Sequence, residues 1–137
     1  YGAACCLMHN RSEPTYQDYL NDVVADLKEC VRIAKDVGIS DDKIILDPGV
    51  GFGKTYQMNL EIINHVDVLH SLGFPILLGT SRKSVIGQTL NLPTDQRVEG
   101  TLATTVVGVL KGCAFVRVHD IKENKRVIQM TEAIMGR

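Results

Sequence analysis

Four short apolar segments begin near residues 3, 43, 75 and 114, and each is followed by a loop and then a stretch of helical pattern. A spacing of roughly 30–40 residues is the size of one strand–helix unit, and strands joined by helical crossovers pair in parallel. The first segment, Ala3–Met8, is closed by His9-Asn10-Arg11. A stripe at 16, 19, 20, 23, 24, 27, 31 and 34 predicts a helix from Tyr16 to Val37, stopped by Gly38. Lys43–Leu46 predicts a second strand, halted by Asp47-Pro48-Gly49. Leu60, Ile63, Val66, Leu69 and Leu72 recur at intervals of three ahead of Gly73 and predict one further helix. Pro75–Leu78 is the third strand, followed by a short helix near Lys83–Leu90 and a longer one near Gln96–Leu110, the latter buried on much of its surface. Ala114–Val118 is the fourth strand. A last helix runs to Met135 with Val127, Ile128, Met130 and Ile134 on its apolar side.

The 137 residues are 45% hydrophobic, enough for one globular domain and too few for two ordinary ones. Four units make either an open sheet or half a barrel, since a complete (β/α)₈ barrel needs about 250 residues. The chain opens on Tyr1 rather than Met, which favours a piece of something longer. Fifteen basic residues against sixteen acidic ones leave a net charge of -1, against a nucleic-acid coat or a basic membrane-surface helix. No apolar run approaches a membrane span, and no stretch resembles an export signal. Cys5, Cys6, Cys30 and Cys113 form no C-x-x-C and no zinc spacing. They are expected to be buried small hydrophobes in a reducing, cytoplasmic setting.

In parallel βα proteins the active site lies at the C-terminal ends of the strands. Here every strand ends in reactive groups: His9-Asn10-Arg11, then Asp47, then Ser81-Arg82-Lys83-Ser84, then Arg117, His119 and Asp120. Polar residues also cap strands as they leave a core, but four in four point to one shared site. Asp47 suits either a pair of N–H groups on an amino-heterocycle or a turn. Gly49-Val50-Gly51-Phe52-Gly53-Lys54 satisfies neither the P-loop spacing, because Pro48 stands where its first glycine belongs, nor the dinucleotide spacing. Its glycines are expected to make a mobile loop, with Phe52 covering a flat ligand or serving as a buried anchor. Ser81–Ser84, between a strand and a helix, reads as an anion site or as ordinary capping beside two bases. Arg117 and His119 fall on one strand face; an arginine inside an apolar strand implies a ligand or a buried ion pair.

These segments, taken in order, resemble the dihydropteroate synthase family of folate biosynthesis. The matching stretches are Leu7-Met8-His9-Asn10-Arg11, Ile44 through Lys54, Leu77 through Gly87, Arg97-Val98-Glu99-Gly100-Thr101 and Phe115 through Asp120. The M-H-N-R form looks most like bacterial members. The resemblance implies that residues 1–137 are one partial pterin-binding domain, the C-terminal half (strands five to eight) of a TIM (β/α)₈ barrel. It implies condensation of 6-hydroxymethyl-7,8-dihydropterin diphosphate with p-aminobenzoate. It also implies that Asp47 holds the pterin, Lys83 contacts pterin and reaction centre, and Arg117 and His119 take the diphosphate. Met8 and Gly79 then pack against the pterin, Phe52 lines the p-aminobenzoate pocket, and Ser84 receives its carboxylate. Magnesium accompanies the diphosphate in that family, its protein ligand expected outside this chain, so no metal residue is assigned here. The small-molecule substrates and a homodimer through the later helices complete the implied partners, with no nucleic acid and no membrane; sulfonamides are the family's inhibitors. Two other readings remain: a methyltetrahydrofolate methyltransferase, sharing the aspartate but needing no diphosphate site, and a non-catalytic binding or assembly module.

Overall fold

The computed structural model describes residues 1–137. Four strands, β1 (Cys5–Met8), β2 (Ile44–Asp47), β3 (Leu77–Leu78) and β4 (Phe115–Val116), alternate with five α-helices. These are α1 (Tyr19–Asp36), α2 (Tyr56–Asn64), α3 (Ser84–Leu90), α4 (Val98–Leu110) and α5 (Ile121–Ile134). β1 pairs in parallel with β2, and β3 with β4. A parallel bridge from Leu46 to Ile76, with the Leu46 N–H donating to the Pro75 carbonyl at 2.9 Å, joins the two pairs into the order β1-β2-β3-β4. No helix is long and apolar enough to cross a membrane.

Strand alternation gives this sheet two unlike faces. Ile44, Leu46, Ile76 and Leu78 are buried against the helices. Ile76 and Leu78 pack with Val23 and Leu27 of α1 and Ile62 and Ile63 of α2 in one apolar cluster, and Ile44 and Leu46 with Val31 and Ala34 of α1 in a second. The opposite face carries Cys6, Met8, Phe115 and Arg117, all exposed. It is the side turned away from the helices, which in a barrel is the concave one.

Several elements differ from the sequence expectation for physical reasons. The chain from 60 to 72 is not one helix: α2 ends at Asn64 and Val66–Leu72 is a 3₁₀ helix, ended by Gly73 at φ 81. The spacing of three is the 3₁₀ period itself. The first helix starts at Tyr19, because Tyr16 turns back to donate its hydroxyl to the Gly53 carbonyl at 2.7 Å. The apolar side expected of α5 is only partly covered: Val127 and Ile128 are half-buried, while Met130 and Ile134 are exposed. α5 instead meets α4 through a buried polar pair in which the Thr105 hydroxyl donates to Asn124 Oδ1 at 2.6 Å. The cysteines are free, as expected, but none is buried; Cys6 is exposed on the concave face.

Candidate active site

β2 ends on Asp47, whose side chain stays within the protein because the following Pro48-Gly49 turn folds back over the strand end. Its Oδ1 accepts the Gly49 N–H at 2.8 Å. Burial raises the Asp47 pKa, against the Gly49 hydrogen bond and the nearby Lys83 and Arg117 charges, which lower it. Asp47 is thus a turn residue and still has a carboxylate oxygen to offer: Oδ2 lies 3.8 Å from where a Cβ on Gly79 would sit.

The loop after β2 is tied to its surroundings by hydrogen bonds. The Gly51 N–H donates to Asn59 Oδ1 at 2.7 Å, and the Gly53 carbonyl accepts from Tyr16. Lys54 Nζ donates to the carbonyls of Gly49 (3.0 Å) and Phe52 (2.9 Å). Gly49 and Gly53 have φ 72 and 58, and a Cβ on either would strike the backbone of His9 or Arg11. The glycines therefore serve close approach to the β1 exit rather than freedom of movement.

Behind the loop, Lys54 also meets His9 Nδ1 at 2.8 Å, while His9 Nε2 meets Asp26 at 2.8 Å. Arg11 grips the same carboxylate at 2.7 and 3.1 Å. Burial lowers the His9 pKa, against the Asp26 hydrogen bond, which raises it; the ring bridges the Lys54 ammonium and the Asp26 carboxylate. Arg11 holds the Asp26 carboxyl below the usual carboxylate range. Burial brings Lys54 down to about 8.

After β3, Ser81 and Lys83 face the concave end of the sheet. Between them Arg82 adopts the left-handed conformation, φ 59. Its N–H donates to the Thr101 hydroxyl at 3.1 Å, its carbonyl accepts from Arg97 at 2.8 Å, and its guanidinium pairs with Asp120 at 2.8 Å. Three residues thus hold a strained turn in place. Arg82 does not add free positive charge to an anion loop, as its sequence position suggested, because Asp120 takes it. Lys83 does face the cleft. Its Nζ donates to the Val50 carbonyl and lies 5.1 Å from the Phe52 ring centroid, and burial lowers its pKa.

β4 delivers the last two groups. His119 Nδ1 lies 2.7 Å from the Ser81 hydroxyl, which also accepts the His119 N–H at 3.1 Å. Arg117 is exposed rather than buried in an apolar strand, and no side-chain hydrogen bond or ion pair engages it; it projects from the concave face.

These groups enclose a cleft of about 290 Å³ at the C-terminal ends of the strands, lined by Met8, Asp47, Phe52, Gly79, Lys83, Arg117 and His119, together with Ser81 and Val118. Seven of the eight residues picked out from sequence therefore converge. The eighth, Ser84, is exposed at the start of α3 and lines a separate shallow hollow with Arg97 and Asn91. Sequence reading did not single out Ser81 as the support of His119, nor Lys54, Asp26 and Tyr16 as supports of the glycine loop. Ser81 stood beside Lys83 in the motif. Asp26 lies 15 residues from Arg11, Tyr16 37 from Gly53 and Lys54 45 from His9, with no local pattern to link them; only the bonds of Lys54 to Gly49 and Phe52 are local. No three His, Cys, Asp or Glu residues are grouped to hold a metal.

The family model described as pterin binding enzyme matches residues 1–119. The chain belongs to the pterin binding enzyme family. Its curated relatives in that family include the dihydropteroate synthase of Clostridium beijerinckii, 57% identical over 138 residues, covering 100% of this chain and 51% of the relative. The Bacillus subtilis dihydropteroate synthase is 49% identical over 96% of this chain and 46% of its own length. A crystal structure of the Clostridium difficile dihydropteroate synthase in the presence of pteroic acid superposes with a TM-score of 0.95 at 46% identity, covering 97% of this chain and 51% of that one. This pterin binding enzyme chain thus spans about half the length of the relatives it matches. Its four parallel βα units are part of a (β/α)₈ barrel.

Proposed function

We propose that this chain forms the strand-five-to-eight portion, residues 1–137, of a dihydropteroate synthase. The reaction is condensation of 6-hydroxymethyl-7,8-dihydropterin diphosphate with p-aminobenzoate. The observation that carries the reading is the convergence of one buried carboxylate with three potential cations in a single cleft. Asp47 accepts the paired N–H groups of the pterin ring, with Met8 and Gly79 packing against its faces. Arg117, free of any protein partner, and His119 take the diphosphate. Ser81 engages Nδ1 of His119, which leaves Nε2 to face a phosphate oxygen. Lys83 stands between the two halves of the substrate.

The C–O bond between the pterin methylene and the diphosphate breaks, and its electron pair leaves with the diphosphate. The p-aminobenzoate nitrogen attacks the methylene carbon and loses a proton, giving dihydropteroate. Negative charge grows on the leaving group, where Arg117, Lys83 and His119 stabilise it more in the transition state than in the ground state. Phe52 lines the p-aminobenzoate pocket, and the Ser84 hydroxyl receives its carboxylate.

The donor set of the cleft suits an anion and not a cation: one carboxylate beside lysine, arginine and histidine. Magnesium therefore belongs with the diphosphate as it enters, its protein ligand supplied from outside these residues. We place the full-length protein in the cytoplasm as a homodimer and as a sulfonamide target, in keeping with its similarity to the bacterial synthases.

The same cations favour this reading over pterin methyl transfer, which has no anionic leaving group to hold. Inorganic diphosphate is therefore expected to bind the full-length protein, and Arg117→Met to weaken it about tenfold or more, the size of a lost charge-assisted hydrogen bond. Calorimetric titration checks it. A protein that ignores diphosphate yet binds a pterin would turn the assignment towards the methyltransferase.

A further inference from the structure

Lys54 lines no part of the cleft, yet its ammonium is fully committed. An ammonium has three protons to donate, and Nζ has three acceptors: His9 Nδ1 at 2.8 Å, the Gly49 carbonyl at 3.0 Å and the Phe52 carbonyl at 2.9 Å. The two carbonyls depend on it unequally. Gly49 also accepts the Phe52 N–H at 3.0 Å, whereas the Phe52 carbonyl has no other donor. The base of the tripod is rigid, because His9 is only 1% exposed and is braced by Asp26, which Arg11 grips in turn. On the cleft side of the same loop, Lys83 donates to the Val50 carbonyl and sits over the Phe52 ring. The loop crest is therefore held between two ammonium groups, one facing substrate and one facing the protein.

We propose that Lys54 is a positioning residue for the arylamine substrate, tying the Phe52 backbone down to the His9–Asp26–Arg11 network so that the Phe52 ring and Lys83 meet p-aminobenzoate in one fixed arrangement. This rests on the synthase reading given above. Asp47 is held chiefly by β2 and by the Gly49 N–H; Lys54 touches that end only through the Gly49 carbonyl, which keeps the Phe52 N–H as a second donor, so the pterin end of the cleft relies on Lys54 less than the Phe52 end does. The effect of losing Lys54 is consequently selective.

The test is steady-state kinetics of the full-length protein with both substrates varied. Lys54→Met keeps the aliphatic stem and removes all three donors. It is expected to raise the KM for p-aminobenzoate about ten- to a hundredfold, the range for a lost hydrogen bond to a charged group, while the KM for the pterin diphosphate moves less than about threefold. Tyr16→Phe removes only the neutral bond to the Gly53 carbonyl at the other end of the loop and keeps the ring packed on Tyr19 and Arg11. It is expected to shift the same constant in the same direction by about fivefold. Equal rises for both substrates, or no rise for p-aminobenzoate, would overturn the proposal. Should Lys54→Met lose its pterin binding through misfolding, Tyr16→Phe decides alone: a rise confined to p-aminobenzoate supports the tether, and its absence refutes it. A wild-type protein that makes no dihydropteroate would remove the synthase reading itself, whereas an active wild type with unselective variants would remove only the role of Lys54.

Discussion

Asp47→Asn in the full-length protein is expected to weaken binding of a dihydropterin analogue by about one to two decades, and to affect p-aminobenzoate far less. The carboxylate has an acceptor on both oxygens. Oδ1 already takes the Gly49 N–H, and Oδ2 is directed towards Gly79 and the cleft. An asparagine must choose. If its carbonyl keeps Gly49, its NH₂ group meets the N–H groups of the pterin, and if it turns round, the NH₂ group meets Gly49. Either way a buried donor faces a donor, which costs roughly 1–3 kcal/mol. Ser84→Ala is the control with the opposite pattern, a mild loss on the p-aminobenzoate side. Calorimetry with the pterin analogue, then with p-aminobenzoate at saturating analogue and diphosphate, reads both. Unchanged pterin affinity in Asp47→Asn would take this residue out of the role.

The 137 residues on their own are expected to form no dihydropteroate at all, and to self-associate. β1 pairs only with β2 and β4 only with β3, so both outer strands present unpaired backbone. The concave face shows Met8 (37%) and Phe115 (46%), and α5 adds exposed Ile121, Met130 and Ile134. Apolar surface of that kind beside two open edges drives association. Arg117 projects from this open face without a protein partner, so nothing here fixes it against a diphosphate. Sedimentation velocity and a product assay on the isolated chain check both points. A monomeric chain with full activity would contradict them.

Much of this was legible in the sequence because the governing signals are local. The strand–helix repeat, the apolar stripe of α1 and the polar strand ends all lie within a few residues of one another, and parallel topology then brings the strand ends together. That is why Asp47, Lys83, Arg117 and His119, dispersed over 70 positions, were readable as one site. What was not legible depends on contacts across the fold. The glycine loop reads as flexible until the His9 and Arg11 backbones are seen against Gly49 and Gly53. Arg82 reads as a free cation until Asp120 is seen beside it. The helix expected through Leu72 changes to a 3₁₀ form, and only the interval of three hinted at it. The burial expected of the cysteines did not hold, and the apolar side of α5 is only partly covered, for one reason: sequence identifies an apolar residue or face but not whether another element covers it.

The central claim is that this cleft joins a pterin methylene to an arylamine with loss of diphosphate. The most direct measurement follows labelled p-aminobenzoate in the full-length protein, supplied with 6-hydroxymethyl-7,8-dihydropterin diphosphate, and counts diphosphate released against label incorporated. The predicted result is labelled dihydropteroate with one diphosphate released per label, and about tenfold or more slower formation in Asp47→Asn and Arg117→Met at a pterin diphosphate concentration near the wild-type KM. Absence of labelled product from a folded, pterin-binding protein would contradict it.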